Sequence, residues 1–162
     1  MDVILKPMTE KEFEAFLCYS AANQAEELAR EKRLPPALAV REAEAELREM
    51  LPDRLSTKGH CLTVIENAAD HRQVGYLWYL SEQNGSVRQL FLCDFAIYEP
   101  ERRKGYAFAT LQALEEHAED EGCDEIVLFV SNENEPARKL YQKFGFVYLR
   151  DFDHGTYLKK KI

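Results

Sequence analysis

Residues 99–107 read Glu-Pro-Glu-Arg-Arg-Lys-Gly-Tyr-Ala. Three consecutive cations, Arg102, Arg103 and Lys104, precede Gly105 and the small Ala107, between the end of an apolar run and the start of a helical pattern. Open α/β sheets bind ligands at such junctions, and a helix N-terminus offers unpaired N–H groups with a partial positive charge. Gly105 and Ala107 would let an anion approach the main chain, so these parts suffice for a diphosphate site. A solvated basic turn whose glycine opens the helix reads the same residues equally well. Neither G-x-x-x-x-G-K-[ST] nor G-x-G-x-x-G occurs, which disfavours a P-loop or dinucleotide site. A nucleotide-phosphate enzyme would also want a metal-holding Asp/Ser pair beside the loop, and Gly105-Tyr106-Ala107 supplies none.

Asp94 is the only charge in Leu90-Phe91-Leu92-Cys93-Asp94-Phe95-Ala96-Ile97. A carboxylate in an apolar strand needs a partner, or its pKa rises. Either outcome suits a general base, a group that orients a cationic ligand, or a buried Asp bonded to backbone at a strand irregularity. Cys93 has no nearby His or Lys to activate it as an acyl carrier. Cys18, Cys61, Cys93 and Cys123 are dispersed, with no C-x-x-C pair, no zinc spacing and no H-E-x-x-H; they read as reduced structural thiols, and no metal site is expected. The four histidines, His60, His71, His117 and His154, are scattered among polar neighbours and receive no role.

These residues need elements to hold them. Val3-Ile4-Leu5 reads as a short strand, and Thr9-x-x-Glu12 as a capping box opening a helix with Phe13, Phe16, Leu17 and Ser20 on one face. Leu34-Pro35-Pro36 breaks it, and a second helix is expected over about 38–50, before Pro52. Strands follow at 61–65, 74–80 and 87–98, with turns at 67–71 and 82–85, an antiparallel meander. A helix from about Gly105 to Glu121 buries Phe108, Leu111, Leu114 and Ala118, and Gly122 stops it. Ile126–Val130 has no polar alternation, as in a central strand covered on both faces. Ala137, Leu140, Tyr141 and Phe144 mark a helix ending at Gly145, with Asn134 placed to cap it and Pro136 tolerated in its first turn. Short strands near 146–149 and 156–160 close the chain, and Lys159-Lys160-Lys161 reads as a solvated end. Strand, helix and strand between 87 and 130 form a crossover that should be right-handed and parallel. The expected fold is mixed α/β (α+β), a mostly antiparallel sheet of six to seven strands with helices on both faces.

At 162 residues, 46% apolar and 31% charged, with nine Phe and eight Tyr, the chain is expected to form one domain over 1–162 with a substantial core. No apolar stretch reaches the ~18–20 residues of a membrane helix, and the first residues lack signal-peptide features, so a cytoplasmic protein without membrane partners is expected. A net charge of −8 disfavours nucleic acid and leans toward small cationic partners.

Arg102-Arg103-Lys104-Gly105-Tyr106-Ala107 resembles the R/Q-x-x-G-x-G/A signature of the GNAT superfamily of N-acetyltransferases, with Ala107 at the second Gly. Val130-x-x-x-Asn134-x-x-Ala137-x-x-Leu140-Tyr141-x-Lys143-x-Gly145-Phe146 resembles that superfamily's second block. The likeness is clear over 87–150 and fades in the first 55 residues. It implies acetyl-CoA as co-substrate, held in an opening between the fourth and fifth strands. The strand near Phe95, Ala96 and Ile97 would pair with the pantetheine amides, Arg102 to Ala107 would hold the pyrophosphate, and Asn134 would meet the arm from the other side. Tyr141 resembles the tyrosine that protonates the departing sulfur; it also shares a helical face with Leu140 and Phe144, as a core residue would. Transfer to an amine needs a neutral nucleophile, fixed donors for the thioester oxygen and a protonated leaving thiol. Asp94 is the candidate base, and Tyr76, Trp78, Tyr79 and Glu82 could line the amine side. The expected activity is acetyl transfer to a primary amine of a small molecule or peptide by direct attack in a ternary complex; the alternative is a non-catalytic acyl-CoA sensor. Dimerisation through the last strands is common in the superfamily, and nothing in the sequence demands it.

Overall fold

The computed structural model describes residues 2–162. Strand β1 (Val3–Pro7) leads into α1 (Glu10–Lys32) and α2 (Pro36–Met50), followed by the meander β2 (His60–Asn67), β3 (Gln73–Asn84) and β4 (Val87–Ile97). Helix α3 (Tyr106–Asp120), β5 (Glu125–Ser131), α4 (Glu135–Phe144), β6 (Val147–Phe152) and β7 (Gly155–Lys161) complete the chain. Among the described residues the seven strands form one sheet in the order β1-β2-β3-β4-β5-β7-β6, in which only β4 and β5 run parallel.

Local chemistry accounts for the boundaries. The Thr9 hydroxyl accepts from the Glu12 N–H at 3.2 Å while the Glu12 carboxylate accepts from the Thr9 N–H at 2.9 Å, so α1 begins with a complete capping box. It stops at Arg33, whose left-handed φ of 53° turns the chain into Leu34-Pro35. Helix α2 starts at Pro36, two residues before the expected Leu38, because proline is pre-organised for the first helical position. Strand β3 runs on to Asn84, so the hairpin turns at Gly85-Ser86 rather than over 82–85.

Alternation along β3 divides the interior in two. Tyr76 and Trp78 face α1 and α2 and pack with Phe13, Phe16, Ala39, Ala43 and Leu47. Leu77 and Tyr79 face the other way, toward Leu111, Leu114 and Ala118 of α3. Each such large side chain contributes about 1.5–3 kcal/mol when buried. Lys159–Lys161 are no free tail: they are rungs of β7 paired with β5, and Lys160 bonds Glu115 and lies over the Phe144 ring. Pairing the main chain and burying the lysine stems outweigh leaving three cations in water.

Two irregularities shape the middle of the sheet. Strands β4 and β5 pair only over Gln89–Leu92 and Glu125–Leu128, after which β5 continues with β7 and β4 with β3, so the sheet splits there. At the same point β4 bulges: Tyr79 opposes Leu92 and Trp78 opposes Asp94, leaving Cys93 as the extra residue. Strict alternation from Leu92 would send Asp94 to the α3–α4 side; the bulge turns Cys93 and Asp94 both toward α1 and α2.

Candidate active site

Beyond the split, β4 has a free edge. The Tyr98 N–H bonds the Val74 carbonyl at 2.9 Å, so alternation aims the polar groups of Ala96 at β3 and those of Phe95 and Ile97 into the gap. An added Cβ on Gly75 would sit 2.1 Å from the Ala96 oxygen, so only glycine lets β3 lie this close beneath that edge. The Ile97 carbonyl is taken by Arg102 Nε at 3.0 Å.

The basic loop follows. Arg103 (φ 62°) and Gly105 (φ 93°) lie in the left-handed region, coiling the chain before α3. Among the described residues the main-chain N–H groups of Arg103, Lys104, Gly105, Tyr106, Ala107 and Phe108 bond no carbonyl or side chain, a row of free donors at the positive end of a helix. The side chains contribute less than the sequence suggests. Arg102 is turned back onto β4, and Lys104 pairs with Glu101 at 3.2 Å. Tyr106 is buried, its hydroxyl accepting from Asn67 at 2.8 Å. Arg103 alone of the three cations has no ion-pair or hydrogen-bond partner among the described residues. Glu101 is itself held below the usual carboxylate range by Arg72 first and Lys104 second.

A cleft of about 570 Å³ opens where β4 and β5 part, and it brings together Cys93, Asp94, Phe95, Asn134 and Tyr141. Ala96, Ile97 and residues 102–107 are not in its wall; they lie farther along the same strand and in the loop after it. The Asp94 Oδ2 accepts from the Ser20 hydroxyl at 2.6 Å and the Tyr76 hydroxyl at 2.9 Å. Burial raises the Asp94 pKa, while those two hydroxyls and the Phe95 N–H pull against the rise. The sequence-level alternatives for Asp94 therefore coexist: it sits at a strand irregularity, hydrogen-bonded, and also faces the cleft. Tyr76 and Trp78 are core, Tyr76 as a support for Asp94 and Trp78 as a donor to His60 at 2.9 Å.

Tyr141 comes from the opposite wall, on α4. Its ring packs edge-on against Phe146 at 5.6 Å, and it is 8% exposed. Burial first, and the Asp94 charge second, push its phenol above the ordinary value, so it stays protonated through neutral pH. The Cys93 thiol in the same cleft is pushed up to about 12, chiefly by burial and then by Asp94 and Glu82. It is thus a thiol rather than a thiolate, and it reports how strongly this cleft disfavours a charged sulfur. Asn134 caps α4, its side-chain oxygen accepting from the Ala137 N–H at 3.3 Å, and also lines the cleft.

The sequence reading missed the α1 contribution. Ser20, Gln24, Glu27 and Glu31 recur at helical spacing and continue the Phe13–Phe16 stripe as polar residues. An apolar stripe turning polar along an unbroken helix was the available signal. His154, given no role, also stands in the cleft wall. Among the described residues no group of three His, Cys, Asp or Glu comes together as a metal site.

Residues 23–146 match the model of the acetyltransferase (GNAT) family. The chain is 35% identical over 147 residues to the uncharacterized N-acetyltransferase YycN of Bacillus subtilis (strain 168), covering 90% of this chain and 93% of that protein. The crystal structure of YycN superposes with a TM-score of 0.84 at 34% identity, covering 93% of this chain and 96% of the other. Two more distant structures share the fold. The PaiA N-acetyltransferase of Thermoplasma acidophilum, in complex with coenzyme A, has a TM-score of 0.72 at 16% identity, with both chains fully covered. The spermidine N-acetyltransferase of Vibrio cholerae, in complex with CoA and spermine, has a TM-score of 0.70 at 19% identity, covering 99% of this chain and 95% of that one. The chain belongs to the GNAT acetyltransferase family, and it is an N-acetyltransferase.

Proposed function

We propose that this chain, acting as one domain over 1–162, transfers the acetyl group of acetyl-CoA to a primary amine by direct attack in a ternary complex. The observation that carries this reading is the placement of Asp94 and Tyr141 on opposite walls of one cleft, where the free edge of β4 begins. The complexes of PaiA with coenzyme A and of the spermidine enzyme with CoA and spermine support it by analogy of fold. Acetyl-CoA supplies an activated acetyl thioester and leaves as the free thiol.

The chain's own groups fit that co-substrate. The Phe95 carbonyl and Ile97 N–H face the gap and can pair with amides of an extended arm. The row of amides from Arg103 to Phe108, with the Arg103 side chain, suits a diphosphate. Asn134 stands at the far wall. Asp94 holds the incoming ammonium and, as a carboxylate made more basic by burial, takes up a proton on the way to the neutral nucleophile, directly or through water. Tyr141 donates its proton to the departing sulfur. A phenol raised above its ordinary value would be a poor match for a thiol in water, but the burial that raises the Cys93 thiol would also raise a thiol held in the same cleft, so donor and acceptor would shift together.

The test is release of free thiol from acetyl-CoA across an amine panel, wild type against Tyr141→Phe. Thiol release that needs an amine and falls in the variant supports the reading. Acetyl-CoA binding with no thiol release on any amine would replace it with a sensor.

A further inference from the structure

Ser20 lies within α1 with its side chain fully buried. A buried helical serine ordinarily donates to the carbonyl four residues back, which here is that of Phe16. Ser20 donates instead to Asp94 Oδ2, at 2.6 Å and across 74 positions of chain. One turn farther along α1, Gln24 Nε2 donates to Ser20 Oγ at 3.1 Å. The chemistry of the groups fixes the direction of this series. An ionised carboxylate only accepts, and a hydroxyl carries a single proton. With that proton given to Asp94, Gln24 can meet Ser20 only through its NH2 group.

The same carboxylate oxygen also takes the Tyr76 hydroxyl, at 2.9 Å, and no side chain among the described residues donates to Oδ1. The two oxygens are thus divided: Oδ2 is held by the protein, and Oδ1 has no side-chain partner. Tyr76 of β3, Cys93 of β4 and Tyr141 of α4 face Asp94, and burial keeps all three protonated around neutrality. The cleft also carries Glu27 and Glu31 of α1, Glu46 of α2, Asp153 and His154 of the β6–β7 turn, and Tyr157 of β7. None of these last moves the Asp94 pKa, which burial raises and Ser20, Tyr76 and the Phe95 N–H lower.

We propose that Gln24 is a positioning residue that acts on Asp94 through Ser20: by occupying the serine oxygen it keeps the serine proton on Oδ2, which leaves Oδ1 for the acceptor amine. The assignment rests on the acetyl-transfer reading, in which Asp94 takes up the proton, and names what tunes that carboxylate. Without the Gln24 amide the serine hydroxyl is free to swing to the Phe16 carbonyl, and Asp94 then loses a charge-assisted hydrogen bond that favours its ionised form. A carboxylate in place of the amide would compete with Asp94 for the one serine proton. Neither Ser20 nor Gln24 touches a reacting atom in this scheme, so the pair sets the pH range in which the enzyme works rather than its limiting rate.

The test is a carbon-13 NMR titration of the Asp94 carboxyl in the full chain, its signal assigned with Asp94→Asn, set beside the pH profile of kcat/KM for acetyl transfer. Ser20→Ala removes one oxygen and should raise the Asp94 pKa by about one pH unit. Gln24→Met should raise it by roughly a third as much, through loss of the polarising donor. Gln24→Glu should raise it by about one pH unit or more. In the Ser20→Ala chain, Gln24→Met should add nothing, because the path is already cut. The acid limb of kcat/KM should move with each titration, whereas a merely structural role would lower the plateau and leave the limb in place. An Asp94 titration unmoved by Gln24→Glu overturns the proposal, as does a Gln24→Met shift that persists in the Ser20→Ala chain. If Ser20→Ala does not fold, Gln24→Glu decides alone, since Gln24 is only half-buried. The transfer reading is judged separately: an acid limb that ignores a shifted Asp94 titration removes Asp94 as the base, while the titrations still decide the link from Gln24.

Discussion

In the proposed mechanism Tyr141 and Asp94 divide the proton work, and each makes a distinguishable prediction. Tyr141→Phe keeps the ring packed against Phe146 and removes only the hydroxyl. The expected result is a kcat lower by about 10²-fold with acetyl-CoA affinity within about twofold, measured by steady-state kinetics and calorimetry. Asp94 must be ionised to act, and burial raises its pKa, so the acid limb of kcat/KM should lie above the ordinary Asp range and vanish in Asp94→Asn. Stability follows the same group with the opposite sign. Its folded pKa exceeds the unfolded one, so the native state holds the extra proton between the two values. The Tm of the wild type relative to Asp94→Asn should therefore fall as pH rises above the ordinary Asp range, which thermal melts would read. An unchanged difference would mean that Asp94 is not strained by its surroundings. Both residues were legible in the sequence as types: a lone carboxylate in an apolar run, and a tyrosine inside a motif. The Ser20 and Tyr76 hydroxyls that hold Asp94 were not, because a bond spanning 74 positions leaves no local trace.

Each element's borders were readable wherever caps, prolines and glycines set them, as at Thr9, Pro36 and Gly145. The β4 bulge was not. Leu92-Cys93-Asp94-Phe95 looks like uninterrupted strand, and only the pairing with Trp78 and Tyr79 reveals the extra residue. Strand β3 carries a prediction of its own. Gly75→Ala would drive a methyl into the Ala96 carbonyl, so it should destabilise the chain by roughly 1–3 kcal/mol and disturb the free edge above it, visible as a lower Tm and weaker acetyl-CoA binding. The loop before α3 divides its cations in a way that composition cannot show. Arg103→Glu should weaken acetyl-CoA binding roughly five- to tenfold at low salt, with the loss shrinking as salt rises. Arg102→Gln should act instead through the Ile97 carbonyl and be nearly salt-independent. Equal salt slopes for the two variants would contradict this division of labour.

Over the whole molecule, the two-layered burial on either side of the sheet and the parallel β4–β5 crossover followed from periodicity and chain order. The acidic cleft did not, because its carboxylates come from α1, α2, β4 and the β6–β7 turn, far apart in the chain. The net charge of −8 hinted at a preference for cations without saying where it resides. Among the described residues no helix is long and apolar enough to cross a membrane. Adding coenzyme A should slow amide hydrogen exchange at Ile97 and over 103–108, whose N–H groups lack partners in the free protein, and leave β6 and β7 unchanged. Protection spread evenly over the sheet would argue against a ligand seated on the edge of β4.

The short parallel seam between Gln89–Leu92 and Glu125–Leu128 works like a clasp on a purse. Among the described residues those four rungs are the only strand pairing that joins the β1–β4 half of the sheet to the β5–β7 half. Loosening them, for instance by shaving Leu90 or Ile126, would let the jaws drift apart while each half kept its own ladder. The first symptom of such damage would be a slackened grip on the donor molecule, well before either half came unravelled.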